Sequence, residues 1–196
     1  AACETYGVVP VAGMELTTSE DVHLLCLFAT LSDAAAFSAA VDYRRIKIKN
    51  RPEIFGRQLL IDLDDEPCGE EAFLLINATT LSLEEAAALC GEHRGIAIPA
   101  HIDRESNGLL STLGGMPETP DFPTVELRDA ENLPDLVQKY PLLRRKREII
   151  SSDAHSISDI AEPGFPINLP CERGASDQSV RDALIDYLSS RRGGNR

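Results

Sequence analysis

Ile96-Ala97-Ile98-Pro99-Ala100-His101 is a short apolar run that stops on an imidazole. Two other runs share that design. Val8-Val9-Pro10-Val11-Ala12-Gly13-Met14-Glu15 stops on a carboxylate, and Ile149-Ile150-Ser151-Ser152-Asp153-Ala154-His155 stops on both kinds of group. Short continuous apolar runs bounded by turn residues are the pattern of buried strands. His23 to Phe28 is a fourth such run, with a histidine at its start. Between these runs lie helix signals. Ser32 to Val41 is rich in Ala, and Ser82-Leu83-Glu84-Glu85 is a capping box that opens a helix running to about His93. Val180, Leu184 and Leu188 recur at four-residue spacing within 177–190. Strands alternating with helices predict an α/β fold with a mainly parallel sheet, in which ligands sit at the carboxyl ends of the strands.

The rest of the chain is read from punctuation. Gln58 to Asp62 and Phe73 to Ile76 are strand-like and flank the polar turn Asp64-Asp65-Glu66-Pro67-Cys68-Gly69, which predicts an inserted hairpin. A short helix is predicted at 107–113, ended by Gly114-Gly115, and another at 133–140 with Pro134 in its first turn. Thr124 to Leu127, Glu148 to Ser151 and, weakly, Ile167 to Leu169 have strand character.

The chain has four histidines, and three of them fall on or beside these runs. Asp153 and His155 are two apart, so in an extended segment both address the same side. Carboxylate oxygen together with imidazole nitrogen suits zinc, iron or manganese. His93, near a helix end, reads as an ordinary residue favoured by the helix dipole.

Gly13-Met14-Glu15-Leu16-Thr17-Thr18, Asp21-Val22-His23-Leu24-Leu25-Cys26-Leu27-Phe28, Pro99-Ala100-His101-Ile102-Asp103-Arg104 and Ser151-Ser152-Asp153-Ala154-His155, in that order, resemble successive motifs of the PHP (polymerase and histidinol phosphatase) family. The resemblance spans about residues 5 to 165. It implies a distorted (β/α)7 barrel over 1–175, with the hairpin inserted at about 52–80 and a C-terminal helix and tail at 176–196. It also implies a metal centre of up to three zinc, manganese or iron ions in the complete protein. Glu15 would bridge two ions, and His23, His101, Asp153 and His155 would be terminal ligands. The implied activity is hydrolysis of a small phosphorylated substrate, a nucleotide or sugar phosphate. Arg104 is the candidate phosphate clamp and Asp103 the candidate support for a ligating histidine. Arg51 and Arg57, beside the hairpin, are weaker candidates for reaching substrate.

The family's opening His-x-His and Thr-Asp-His motifs have no counterpart here, so the first strands are expected to be missing and this chain alone is expected to be inactive. Two alternatives stay open: a non-catalytic binding or regulatory module, and a nuclease-type PHP domain associated with a DNA polymerase.

A formal net charge of −13 argues against a broad nucleic-acid-binding face, because neutralising phosphates needs Lys and Arg. Five widely spaced cysteines with no C-x-x-C pair suit reduced thiols in a cytoplasmic protein. No apolar run approaches the length of a membrane span.

Overall fold

The computed structural model describes residues 2–191. Most of the expected tail, residues 192–196, lies outside the described residues, as does Ala1. A four-residue helix, α1 (Ala2–Thr5), leads into strands β1 (Ala12–Thr17) and β2 (His23–Phe28). Helices α2 (Leu31–Asp42) and α3 (Pro52–Phe55) follow, then strands β3 (Leu59–Ile61) and β4 (Pro67–Glu70) and helix α4 (Leu83–Glu92). The order continues with β5 (Gly95–Pro99), α5 (Leu109–Leu113), β6 (Thr124–Leu127), α6 (Leu133–Lys139), β7 (Arg147–Ile150) and α7 (Asp177–Ser189).

The expected (β/α)7 barrel is not formed. Among the described residues the strands make three separate sheets, ordered β1-β2-β5, β3-β4 and β6-β7, and no sheet closes on itself. The first is antiparallel throughout: Thr17 lies opposite His23, and Leu24 opposite Pro99. Only β6 and β7 run parallel, joined through α6. The physical reason lies in one boundary. The first strand covers Ala12–Thr17, so only five residues, 18–22, separate it from β2. Such a link makes a hairpin, whereas a parallel crossover takes a dozen residues or more. The link is stitched by Thr18, whose N–H donates to Val22 O at 2.9 Å.

Gly13 is needed in β1. A Cβ there would sit 2.5 Å from the carbonyl oxygen of Cys26 on the neighbouring strand. The hairpin β3-β4 is present, but its second strand is Pro67–Glu70, part of the expected turn; Phe73 makes only an isolated bridge with Lys49. Ile167 to Leu169 forms no strand.

The two faces of the first sheet bury different partners. Leu16, Leu24, Cys26 and Phe28 enter the larger core with Phe37 of α2 and Ala86 and Cys90 of α4. Ile96 and Ile98 pack on Ile185 and Leu188 of α7, flanked by Leu25 and Leu27. Helix ends are locally specified: Thr30 Oγ1 accepts from Asp33 N at α2, and Ser82 and Glu85 make a reciprocal capping box at α4. Cys26 and Cys90 are buried as small apolar side chains, while Cys68 and Cys171 are exposed; all five cysteines are free. No described helix is long and apolar enough to cross a membrane.

Candidate metal centre

Thr17 and His23 are opposite one another in the β1-β2 register, so Glu15, two residues before Thr17, shares a face with His23. His101 arrives just past the end of β5, whose Pro99 pairs with Leu24. These placements bring three ligand atoms together. Glu15 Oε1 lies 3.0 Å from His23 Nδ1 and 3.1 Å from His101 Nε2, and the two ring nitrogens are 3.2 Å apart. Among the described residues this is the one group of three or more His, Cys, Asp or Glu whose ligand atoms converge within 4.8 Å.

Backbone bonds hold the triangle. His23 N–H donates to Asn107 O at 3.0 Å, and His23 O accepts from Ala100 N at 3.0 Å. Asn107 Nδ2 donates to Asp21 O at 3.1 Å. Buried Glu126, on β6, accepts the His101 N–H on Oε2 at 3.0 Å and the Ser151 hydroxyl on Oε1. Glu126 thus ties the end of β5 to the end of β7. His101, Asp21, Asn107 and Asp153 all have φ between 31° and 66°, a region that L-residues enter sparingly. Asp, Asn and His are the non-glycine types that enter this region most readily, so the turns around the site suit its sequence.

The electrostatics follow from the geometry. Hydrogen bonds from His101 and then His23 hold the Glu15 carboxyl well below the usual carboxylate range, against the opposing effect of burial. Burial disfavours charge on His101, but the Glu15 hydrogen bond and the negative charges of Glu15 and Asp153 outweigh it and raise its pKa. His101 is 2 % exposed, and its Nδ1 is buried with no hydrogen-bond partner among the described residues.

The donor set passes a test for a cation. With Glu15 ionised, each facing ring nitrogen carries at most one hydrogen, so at most two of the three short contacts are hydrogen bonds. A cation attracts all three lone pairs at once. Nitrogen and oxygen ligands at about 2.0–2.2 Å from a tetrahedral zinc stand about 3.3 Å from one another, close to the separations here. Three protein ligands with one position left for water or substrate is the composition of catalytic zinc sites.

The other expected residues are placed differently. Asp153 is largely buried and ion-paired with Arg104; His155 is exposed, and its Nδ1 lies 2.8 Å from the Asp153 carbonyl oxygen. Neither joins the triangle, although the charge of Asp153 reaches His101. Asp103 braces the turn after β6, accepting from Arg128 N, Asp129 N and Asn132 Nδ2 at 2.9–3.0 Å. Support for His101 comes from Glu126, which the sequence reading did not single out. Its signal was a carboxylate between Val125 and Leu127 in a strand buried at every position. Arg57 pairs with Glu70 on the hairpin. A cavity of about 710 Å³ adjoins Glu15, lined by apolar Met14, Leu16 and Leu60 and by charged Asp42, Arg45 and Glu71.

No family model, no curated protein and no solved structure matches the chain. The centre is therefore interpreted on its own geometry and chemistry.

Proposed function

We propose that the protein is a metal-dependent phosphoesterase whose centre is held by Glu15, His23 and His101. The convergence of those three ligand atoms carries the reading; the ordered PHP-like motifs supply the reaction class. The chemistry of the set favours zinc, manganese or iron, and the substrate class is a small phosphorylated molecule such as a nucleotide or sugar phosphate. A bound divalent ion supplies a water of pKa lowered toward about 7 and withdraws charge from the phosphoryl oxygens. The chain's own groups do the rest. Glu15 and His23 would hold the ion together with His101, and Glu126 fixes the backbone that aims His101. Water oxygen attacks phosphorus as the ester P–O bond breaks, and the leaving oxygen takes up a proton. Arg104 is the nearby guanidinium suited to phosphoryl oxygens; to bind them it must loosen from Asp153.

A second reading, a metal-binding module without catalysis, is favoured by one observation: Arg104 and Asp153 neutralise one another and His155 faces solvent. A phosphatase panel with zinc, manganese or iron added separates the two. Turnover that is lost on chelation and in His23→Ala supports the enzyme. Because this chain alone is expected to be inactive, the panel is run beside a chain extended at its N-terminus: tight metal binding with no turnover by either supports the module, and absence of metal binding removes both.

A further inference from the structure

Glu15 belongs to two places at once. It is a corner of the triangle with His23 and His101, and it lines the cavity of about 710 Å³. That volume is in the range of small-molecule pockets, about 300–1,000 Å³. The walls come from three parts of the chain. Met14 and Leu16 belong to β1, Ser38 and Ala39 to α2, and Leu60 to the hairpin, although every residue of β3 and β4 is exposed. A molecule with one group on an ion at Glu15 has this cavity beside it for the rest of its body.

The charges of the wall decide which bodies fit. Arg45 is the one cation among the described lining residues, and both its terminal nitrogens are taken. Nη1 donates to Asp42 Oδ1 at 3.0 Å and lies 3.5 Å from Glu71 Oε2. Nη2 donates to the carbonyls of Phe73 and Leu74 at 3.1 and 3.4 Å. Asp42 and Glu71 are themselves on the wall. Lys47 and then Arg45 hold the Asp42 carboxyl below the usual range, and the Phe73 N–H and then Arg45 do so for Glu71, so both stay ionised near neutral pH. An anionic group entering the cavity loses its water and meets two carboxylates and no uncommitted cation. An uncharged group meets apolar side chains and the Ser38 hydroxyl. Arg104, the guanidinium suited to the phosphoryl group, pairs with Asp153 and does not line the cavity.

We infer that this cavity takes the alcohol part of the substrate, and that the substrate is a phosphomonoester of an uncharged alcohol with an apolar body and no second anionic group. The inference rests on the phosphoesterase reading of the metal centre and narrows it. Bisphosphates, nucleoside di- and triphosphates and nucleic acid all carry further phosphates, and the wall rejects them.

Titration calorimetry on the zinc-loaded protein tests this with three non-hydrolysable phosphonates: methylphosphonate, phenylphosphonate and 4-phosphonobenzoate, which adds a carboxylate to the phenyl ring. Phenylphosphonate is expected to bind about tenfold or more tighter than methylphosphonate, because the ring leaves water. The added carboxylate of 4-phosphonobenzoate is expected to abolish that gain. Ala39→Trp, at an exposed position of α2, fills the cavity and is expected to remove the phenyl gain while zinc and methylphosphonate bind as before. Ser38→Lys puts a free cation on the wall and is expected to bind 4-phosphonobenzoate about tenfold better than the wild type does. Zinc-dependent binding of methylphosphonate with no gain for phenylphosphonate, with no loss for 4-phosphonobenzoate, or with a phenyl gain that survives Ala39→Trp would each overturn the pocket and leave the metal centre standing. Absence of zinc-dependent binding for all three would sink the metal centre, and the pocket with it.

Discussion

The two halves of the candidate site are built on different foundations. Glu15 and His23 stand on paired strands, and His101 follows a third strand of the same sheet, with its N–H held by a buried carboxylate. Asp153 and His155 stand on the irregular segment between β7 and α7, where they are held by Arg104 and by a contact between the His155 ring and the segment's own backbone. A strand ladder sets the direction of each side chain through many shared bonds. A loop sets it through one or two, which a ligand can replace. The difference teaches that the first half is positioned before anything binds, while the second is positioned by its present partners.

Replacing His101 breaks the rigid half most. His101→Ala leaves two donors of three, and titration calorimetry with zinc or manganese is expected to show affinity reduced about 100-fold or more, beyond the range seen for outer-shell partners. Retention within a few-fold would remove the triangle as the site.

Glu126→Ala tests the tie between the halves. It strands the His101 N–H and the Ser151 hydroxyl in a buried place, so denaturant unfolding is expected to show a loss of about 2–4 kcal/mol. Glu126→Gln is expected to recover part of it, since the amide oxygen still accepts one of the two bonds.

The pH response has two signs. In the metal-free protein the raised His101 pKa stabilises the fold fully below its unfolded value of about 6.5, and this is lost as pH rises through the folded value. The lowered Glu15 pKa stabilises above about 4.5 and is lost as pH falls through the folded value. Their joint contribution is therefore largest between those two values. Metal binding goes the other way at His101, because the proton must leave: affinity is expected to rise with pH through the same range. Thermal melts with and without metal across pH check both; a metal-loaded protein that keeps the metal-free profile would contradict the assignment of His101.

The smallest effects belong to the loop half. Asp153→Asn removes the Arg104 pair, in which Asp153 is largely buried and Arg104 partly exposed, and is expected to change stability by about 1–2 kcal/mol and metal affinity by only a few-fold. His155→Ala, at an exposed position, is expected to stay within about 0.5 kcal/mol. If Asp153→Asn reduces metal affinity as much as His101→Ala does, the two halves form one centre on binding.

Helices were the most legible part of the fold. The α4 capping box and the four-residue spacing in α7 are local signals, satisfied by bonds within a few residues, and both helices occur within a residue or so of expectation. The first strand starts four residues after the apolar run that begins at Val8. Pro10 offers no N–H to a ladder, while the close approach of Cys26 O selects Gly13 and the residues after it. The five-residue link to β2 makes this pair an antiparallel hairpin where a mainly parallel sheet was expected. Within the site, Glu15 and His101 were legible because metal-capable residues stand out at the ends of apolar runs, whereas His23, which opens its run, was legible mainly through the family resemblance. Glu126 was not, because one carboxylate inside a four-residue buried strand has no spacing partner in the chain.

By itself the sequence determined which residue types are available for a metal, where most helices begin and end, and an acidic surface poor in nucleic-acid-binding charge. These depend on composition and on bonds between near neighbours. Only the tertiary structure decided that three sheets form and no barrel, that Glu15, His23 and His101 meet while Asp153 turns to Arg104, and that the hairpin stands uncovered. Those outcomes rest on contacts between residues 8 to 86 positions apart, and strand register and side-chain direction across such distances are not encoded in any local pattern.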